Sequence, residues 1–177
     1  MTQGCAPRVG EDVHMKKVVP IVVGAVFVVV ALTGTALGAG SSEGRLFEAT
    51  LVGSVPNTVI AGVPSGGAPW TVASGEVRLR PDGELRVEVR GLLLINTGNP
   101  ALDGTTGPVR AVRASLVCAN TVVASTASVP LNARGDAEIR QTVTAPRPCF
   151  APAVLVRIGA TTTATNLLGP WIAATGF

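Results

Sequence analysis

Apolar and polar side chains alternate with a period of two in segment after segment. No stretch beyond residue 40 carries convincing helical periodicity, and turn signals recur roughly every 8–15 residues. These three observations predict an all-β protein. The expected architecture is a Greek-key, immunoglobulin-like β-sandwich of about eight strands over residues 39–177, behind an N-terminal signal peptide.

The leader comes first along the chain. Lys16-Lys17 is a short basic segment, Val18 to Leu32 is almost unbroken apolar sequence, and Thr33 to Gly40 is small and weakly polar. That order is the pattern of a secretory signal. Signal peptidase requires small residues at −3 and −1, which places cleavage after Gly38, with Gly40 a second candidate. The alternative is an uncleaved membrane anchor. Val18 to Ala39 is long enough to span a bilayer, but Pro20 and the glycines after Leu32 favour cleavage. Residues 1–14 carry Glu11 and Asp12, which fit poorly before a basic segment, and Met15 is the expected true start, with 15–38 as the signal peptide.

The strands follow. Leu46 to Val52 is the first and Trp70 to Ala73 a short second. From Glu76 to Leu92, Val77, Leu79, Leu85, Val87 and Val89 alternate with Glu76, Arg78, Arg80, Glu84, Arg86, Glu88 and Arg90 about the turn Pro81-Asp82-Gly83. This is a β-hairpin with one apolar and one charged face. Asn96 to Pro108 is a Gly-, Asn- and Thr-rich loop. Val109 to Ala119 is a strand with Val112, Ala114, Leu116 and Cys118 on one face and Arg113 and Ser115 on the other. The Ala119-Asn120 turn leads into Thr121 to Val129. Ala137 to Thr144, Val154 to Ala160 and Trp171 to Thr175 complete the set, and Trp70 and Trp171 are expected core anchors.

Composition restricts the chemistry. His14, Lys16, Lys17, Met1 and Met15 are the only residues of their types and all lie in or before the leader, while tyrosine is absent. The mature chain of about 139 residues, one domain in size, then has 11 Arg against 9 Asp plus Glu. Arginine as sole cation amid abundant Ala, Gly, Val and Pro points to a GC-rich genome such as an actinobacterium's. A near-neutral balance with few aromatics excludes a nucleic-acid footprint. The scarcity of aromatics also rejects an outer-membrane barrel, which needs aromatic girdles. Cys5 goes with the leader, and Cys118 and Cys149 in an exported chain are expected to form one disulfide.

Leu46 to Gly91 resembles the start of a CHRD (chordin-type) domain. The carriers are Phe47-Glu48-Ala49-Thr50-Leu51-Val52-Gly53, Ala73-Ser74-Gly75-Glu76-Val77 and Pro81-Asp82-Gly83-Glu84-Leu85, leading to Val89-Arg90-Gly91-Leu92. Gly107-Pro108-Val109 is similar to a later turn of that family. The resemblance implies a small extracellular β-rich module without catalytic activity. The family commonly has a histidine in the strand before the Gly-Pro turn, where this chain has Leu94-Ile95-Asn96-Thr97-Gly98.

Without histidine or lysine, Ser-His-Asp, Cys-His and Ser-Lys catalysis and His-built metal sites are excluded from the mature chain. No cofactor, metal or catalytic residue is expected. The remaining route to catalysis is a carboxylate pair drawn from Glu48, Glu76, Asp82, Glu84, Glu88, Asp103, Asp136 and Glu138, as in a glycosidase. Most of these sit on outward strand faces or in turns. The densest charge cluster, Arg78, Arg80, Arg86, Glu88 and Arg90, is the candidate binding face, for an acidic wall polymer or an extracellular protein. The expectation is an exported, non-enzymatic binding or envelope-associated module. The alternatives are an extracytoplasmic hydrolase using paired carboxylates and a membrane-tethered form, touching the membrane only through an uncleaved leader.

Overall fold

The computed structural model describes residues 44–160 and 169–176. The leader, its cleavage sites, the Met15 start, Cys5 and His14 lie outside the described residues. Among those residues there is no helix. The strands are β1 (Phe47–Gly53), β2 (Val59–Ile60), β3 (Val63–Pro64), β4 (Trp70–Thr71), β5 (Ser74–Leu79), β6 (Glu84–Arg90), β7 (Leu93–Leu94), β8 (Ala111–Cys118), β9 (Thr121–Ser125), β10 (Val129–Pro130), β11 (Ala137–Thr142), β12 (Ala153–Ile158) and β13 (Trp171–Thr175). The all-β expectation is met.

One antiparallel sheet runs β10-β8-β12-β13-β1-β5-β6-β11, with β9 beside β8; β2-β3 and β4-β7 form two small sheets. β1 is the corner strand. Its first half, Phe47 to Thr50, pairs with β5, and its second half, Leu51 to Gly53, pairs with β13. The sheet therefore curls, and side chains from both halves enter one core. Val77, Leu79, Leu85, Val87, Val89 and Ile139 from one side meet Val112, Ala114, Leu116, Val154, Val156 and Ile172 from the other. Burying each aliphatic side chain contributes about 1.5–3 kcal/mol. A second cluster of Val63, Val117, Ala153, Leu155, Trp171 and Ala174 lies on the other face of β8, β12 and β13. Trp70 and Trp171 are both buried, one in each cluster.

The two ends of the sheet path approach each other and are stitched by a side chain. Gln141 of β11 accepts from the Ala127 N–H at 2.8 Å and donates to the Ala127 carbonyl at 3.4 Å, imitating a backbone bridge. Ala127 lies in a break that the sequence reading placed inside one strand, Thr121 to Val129. The Thr126 hydroxyl accepts the Ala114 N–H at 3.0 Å, interrupting the edge of β8 and leaving β9 and β10 as separate pieces. A β-rich sequence with a buried Thr offers its own acceptor in place of the backbone.

The charged hairpin forms as expected, with β5 and β6 joined through Pro81-Asp82-Gly83. Gly83 has φ +89°, and a Cβ there would strike the Val143 carbonyl, so glycine is required on both counts. Asp82 completes the turn by accepting the Glu84 N–H at 3.0 Å. Cys118 and Cys149 form the disulfide, 31 residues apart in sequence, tying the end of β8 to the loop that follows β11.

The two faces of β8 divide as expected, and both are covered. Ser115 and Val117 are buried and Arg113 is partly covered, so β8 has no wet side. Its second face lies against the other cluster, beneath β2 and β3. Arg113 stands opposite Arg157 of β12, which is 4% exposed and donates through Nε to the Gly169 carbonyl. Burial, and then Arg113, push Arg157 below the usual arginine range.

Candidate functional site

The outward faces of β1, β5, β6 and β11 carry charge in bands. Register decides this. Arg78 stands opposite Arg86, and Arg86 opposite Arg140, with Glu48 at the β1 end of the row. Two residues along, Glu76, Glu88 and Glu138 form a parallel row that ends at Thr50. Neighbours within a row are about 4.8 Å apart and the two rows about 6.8 Å apart, from strand spacing and rise. Like charges directly opposite one another destabilise a sheet. Here they are relieved along the strands and diagonally, and straight across only where Glu48 faces Arg78.

The relief is a nearly complete ion-pair network. Arg78 reaches Glu76 at 2.9 Å and Glu48 at 3.1 Å, and Arg45 also pairs with Glu48. Arg80 reaches Glu84 at 2.8 Å, and Arg90 reaches Glu88 at 2.6 Å. Arg86 touches Glu88 and Glu138 only at 3.5 and 3.4 Å, and Arg140 shares Glu138 at 3.3 Å. These side chains are solvent-accessible, so water and salt screen each pair and its contribution to stability is small. The hydrogen bond from Arg78 holds the Glu48 carboxyl below its ordinary range, and that from Arg90 does the same for Glu88.

The five side chains of the expected binding face divide between two depressions around the hairpin, three in one and two in the other. Arg78, Arg80 and Arg86, with Glu84 and Arg140, line a depression of about 160 Å³. Glu88 and Arg90 line a separate one of about 270 Å³ with Ser74, Gly75 and Glu76. Arg140 was not singled out in the sequence, and Glu138 was singled out only as a candidate carboxylate, because the pairing of β11 with β6 that brings both to this face joins residues some fifty positions apart. The available signal was the alternation Glu138-Ile139-Arg140, which repeats the pattern of Glu84-Leu85-Arg86.

The other acidic residues hold loops. Asp103 accepts the Thr97 N–H at 2.9 Å and its hydroxyl at 2.7 Å, which lowers its pKa. Asp136 takes Asn132 and the Gly91 N–H, with the same effect. Near the disulfide, Leu46, Phe47, Leu79, Pro146, Pro148, Cys149 and Pro152 line an apolar groove of about 340 Å³ with Arg147 at its edge. Among the described residues, no three His, Cys, Asp or Glu side chains gather closely enough to hold a metal ion, and no helix is long and apolar enough to cross a membrane.

No family model matches this chain, and no curated protein or solved structure shows a significant match.

Proposed function

We propose that this chain is an exported, non-catalytic module, a Greek-key immunoglobulin-like β-sandwich in plan, that attaches to a charged component of the cell envelope through the outer face of β5, β6 and β11. The observation that carries the reading is the segregation of arginine and glutamate into parallel rows. A checkerboard of the same residues would pair straight across every strand and leave no local excess of charge, whereas banding leaves the depression lined by four guanidiniums and one carboxylate. The favoured partner is an acidic wall polymer, with an extracellular protein as the other candidate. Export rests on the leader pattern, and the Cys118–Cys149 disulfide is consistent with an extracytoplasmic setting. The CHRD-type resemblance of Leu46 to Gly91 belongs to the same proposal.

The hydrolase alternative gains no support from the carboxylates. A general acid must retain its proton near neutral pH, and Glu48, Glu88, Asp103 and Asp136 are all displaced downward. Co-sedimentation with isolated envelopes tests attachment. Screening shortens from about 10 Å at 0.1 M salt to about 3 Å at 1 M, so the bound fraction should collapse across that range. Retention that ignores salt would refute electrostatic docking by this face.

A further inference from the structure

We propose that the depression between Arg78, Arg80, Arg86 and Arg140 is an oxyanion subsite that accepts a single phosphate group; this deepens the docking assignment above and rests on it. The lining carries a formal charge of +3, four arginines against Glu84. Each guanidinium presents five N–H donors. Among the described residues, Arg86 and Arg140 spend only Nη2, and only at 3.3–3.5 Å. Their Nε and Nη1 groups have no described protein acceptor. They stand side by side on adjacent strands, at the spacing from which two planar forks grip one tetrahedral anion bidentately. Arg78 is committed to Glu48 and Glu76 through Nε and Nη2 and closes the row from the β5 side.

The neighbouring glutamate row sets the selectivity. Glu76, Glu88 and Glu138 lie about 6.8 Å away along the strands, so a second anion in that direction meets three carboxylates. A phosphate-bearing chain can cross the strands along the arginine row but cannot run down them. Glu138 has a further role as the internal competitor, since it is the carboxylate that Arg86 and Arg140 share. Neutralising it frees Arg140 for the ligand and leaves Arg86 only its 3.5 Å contact with Glu88.

The test is a titration of the folded domain with inorganic phosphate at low ionic strength, followed through the arginine Nε–Hε resonances. Saturable shifts are expected at Arg78, Arg86 and Arg140 and not at Arg134, which is 85% exposed outside the depression. Replacing both Arg86→Gln and Arg140→Gln should weaken binding at least tenfold. Glu138→Gln should tighten it severalfold, an outcome that a merely structural network would not produce. All of these positions are solvent-accessible, and unchanged melting of each variant excludes misfolding. Shifts spread evenly over every exposed arginine, or affinity indifferent to the double replacement, would overturn the subsite. The two assignments fail separately. Envelope retention without phosphate binding would overturn the subsite and leave docking intact. Phosphate binding that the double replacement removes, in a protein whose envelope retention ignores salt, would support the subsite and overturn docking.

Discussion

The two halves of the curled sheet solve opposite problems. In β5 and β6 every second residue is buried and the rest meet water, whereas β8, β12 and β13 are buried on both faces almost throughout. The half with one wet face carries the charge bands. The half without one carries the second core cluster and the anchoring end of the disulfide. Stability is concentrated where no surface is available for a ligand, and the charge bands lie where substitutions should cost the fold little.

Truncation should expose this contrast most sharply. Leu155 is fully buried between β8 and β13, and Leu155→Ala should cost about 2–5 kcal/mol from lost transfer energy plus the cavity. Arg86→Ala on the wet face should cost under about 1 kcal/mol. Chemical denaturation of the two variants measures both, and equal losses would erase the distinction. Next in size is the disulfide: replacing Cys118 and Cys149 with serine should lower stability by about 3–4 kcal/mol on the chain-entropy model for a loop of this length. Denaturant midpoints with and without reductant provide the check.

The seam between the halves should respond more weakly. Gln141→Ala removes both bonds to Ala127 and should cost about 1 kcal/mol. The accompanying change should be faster amide exchange at Ala127, with the centre of β12 unaffected. Acid should have the smallest effect, confined to the wet half. Glu48 and Glu88 have folded pKa values below their unfolded ones, so their contribution is complete above the unfolded value of about 4.3 and is lost as the pH falls through the folded values. The melting temperature should be flat from pH 8 to about 5 and decline below about 4. A decline beginning near pH 6 would implicate other groups.

How much of this was legible in the sequence follows the same division. The hairpin announced itself because a half-wet strand alternates, and Pro81-Asp82-Gly83 supplied its turn. Its charged face could be named residue by residue as far as the chain stayed local. Arg140 and Glu138 join that face through a long-range register that no local pattern encodes. β12 was legible as a strand, yet its run Val154-Leu155-Val156 was the only hint that both of its faces are covered. Arg113 and Ser115 were legible as the face opposite Val112, Ala114 and Leu116, but no local pattern showed that this face too is covered. The covering hairpin, β2 and β3, is only two residues per strand and carries little signal. Thr126, which breaks the edge strand, is β-branched and reads as strand until its hydroxyl is seen accepting the Ala114 N–H.

The most direct test of the wet face as the working surface is envelope retention of the Arg78→Glu/Arg86→Glu variant, measured beside its melting temperature. Retention should be abolished while the melting temperature stays at the wild-type value. Full retention by a folded variant would show that the charge bands are only solvated ion pairs and that attachment lies elsewhere on the molecule.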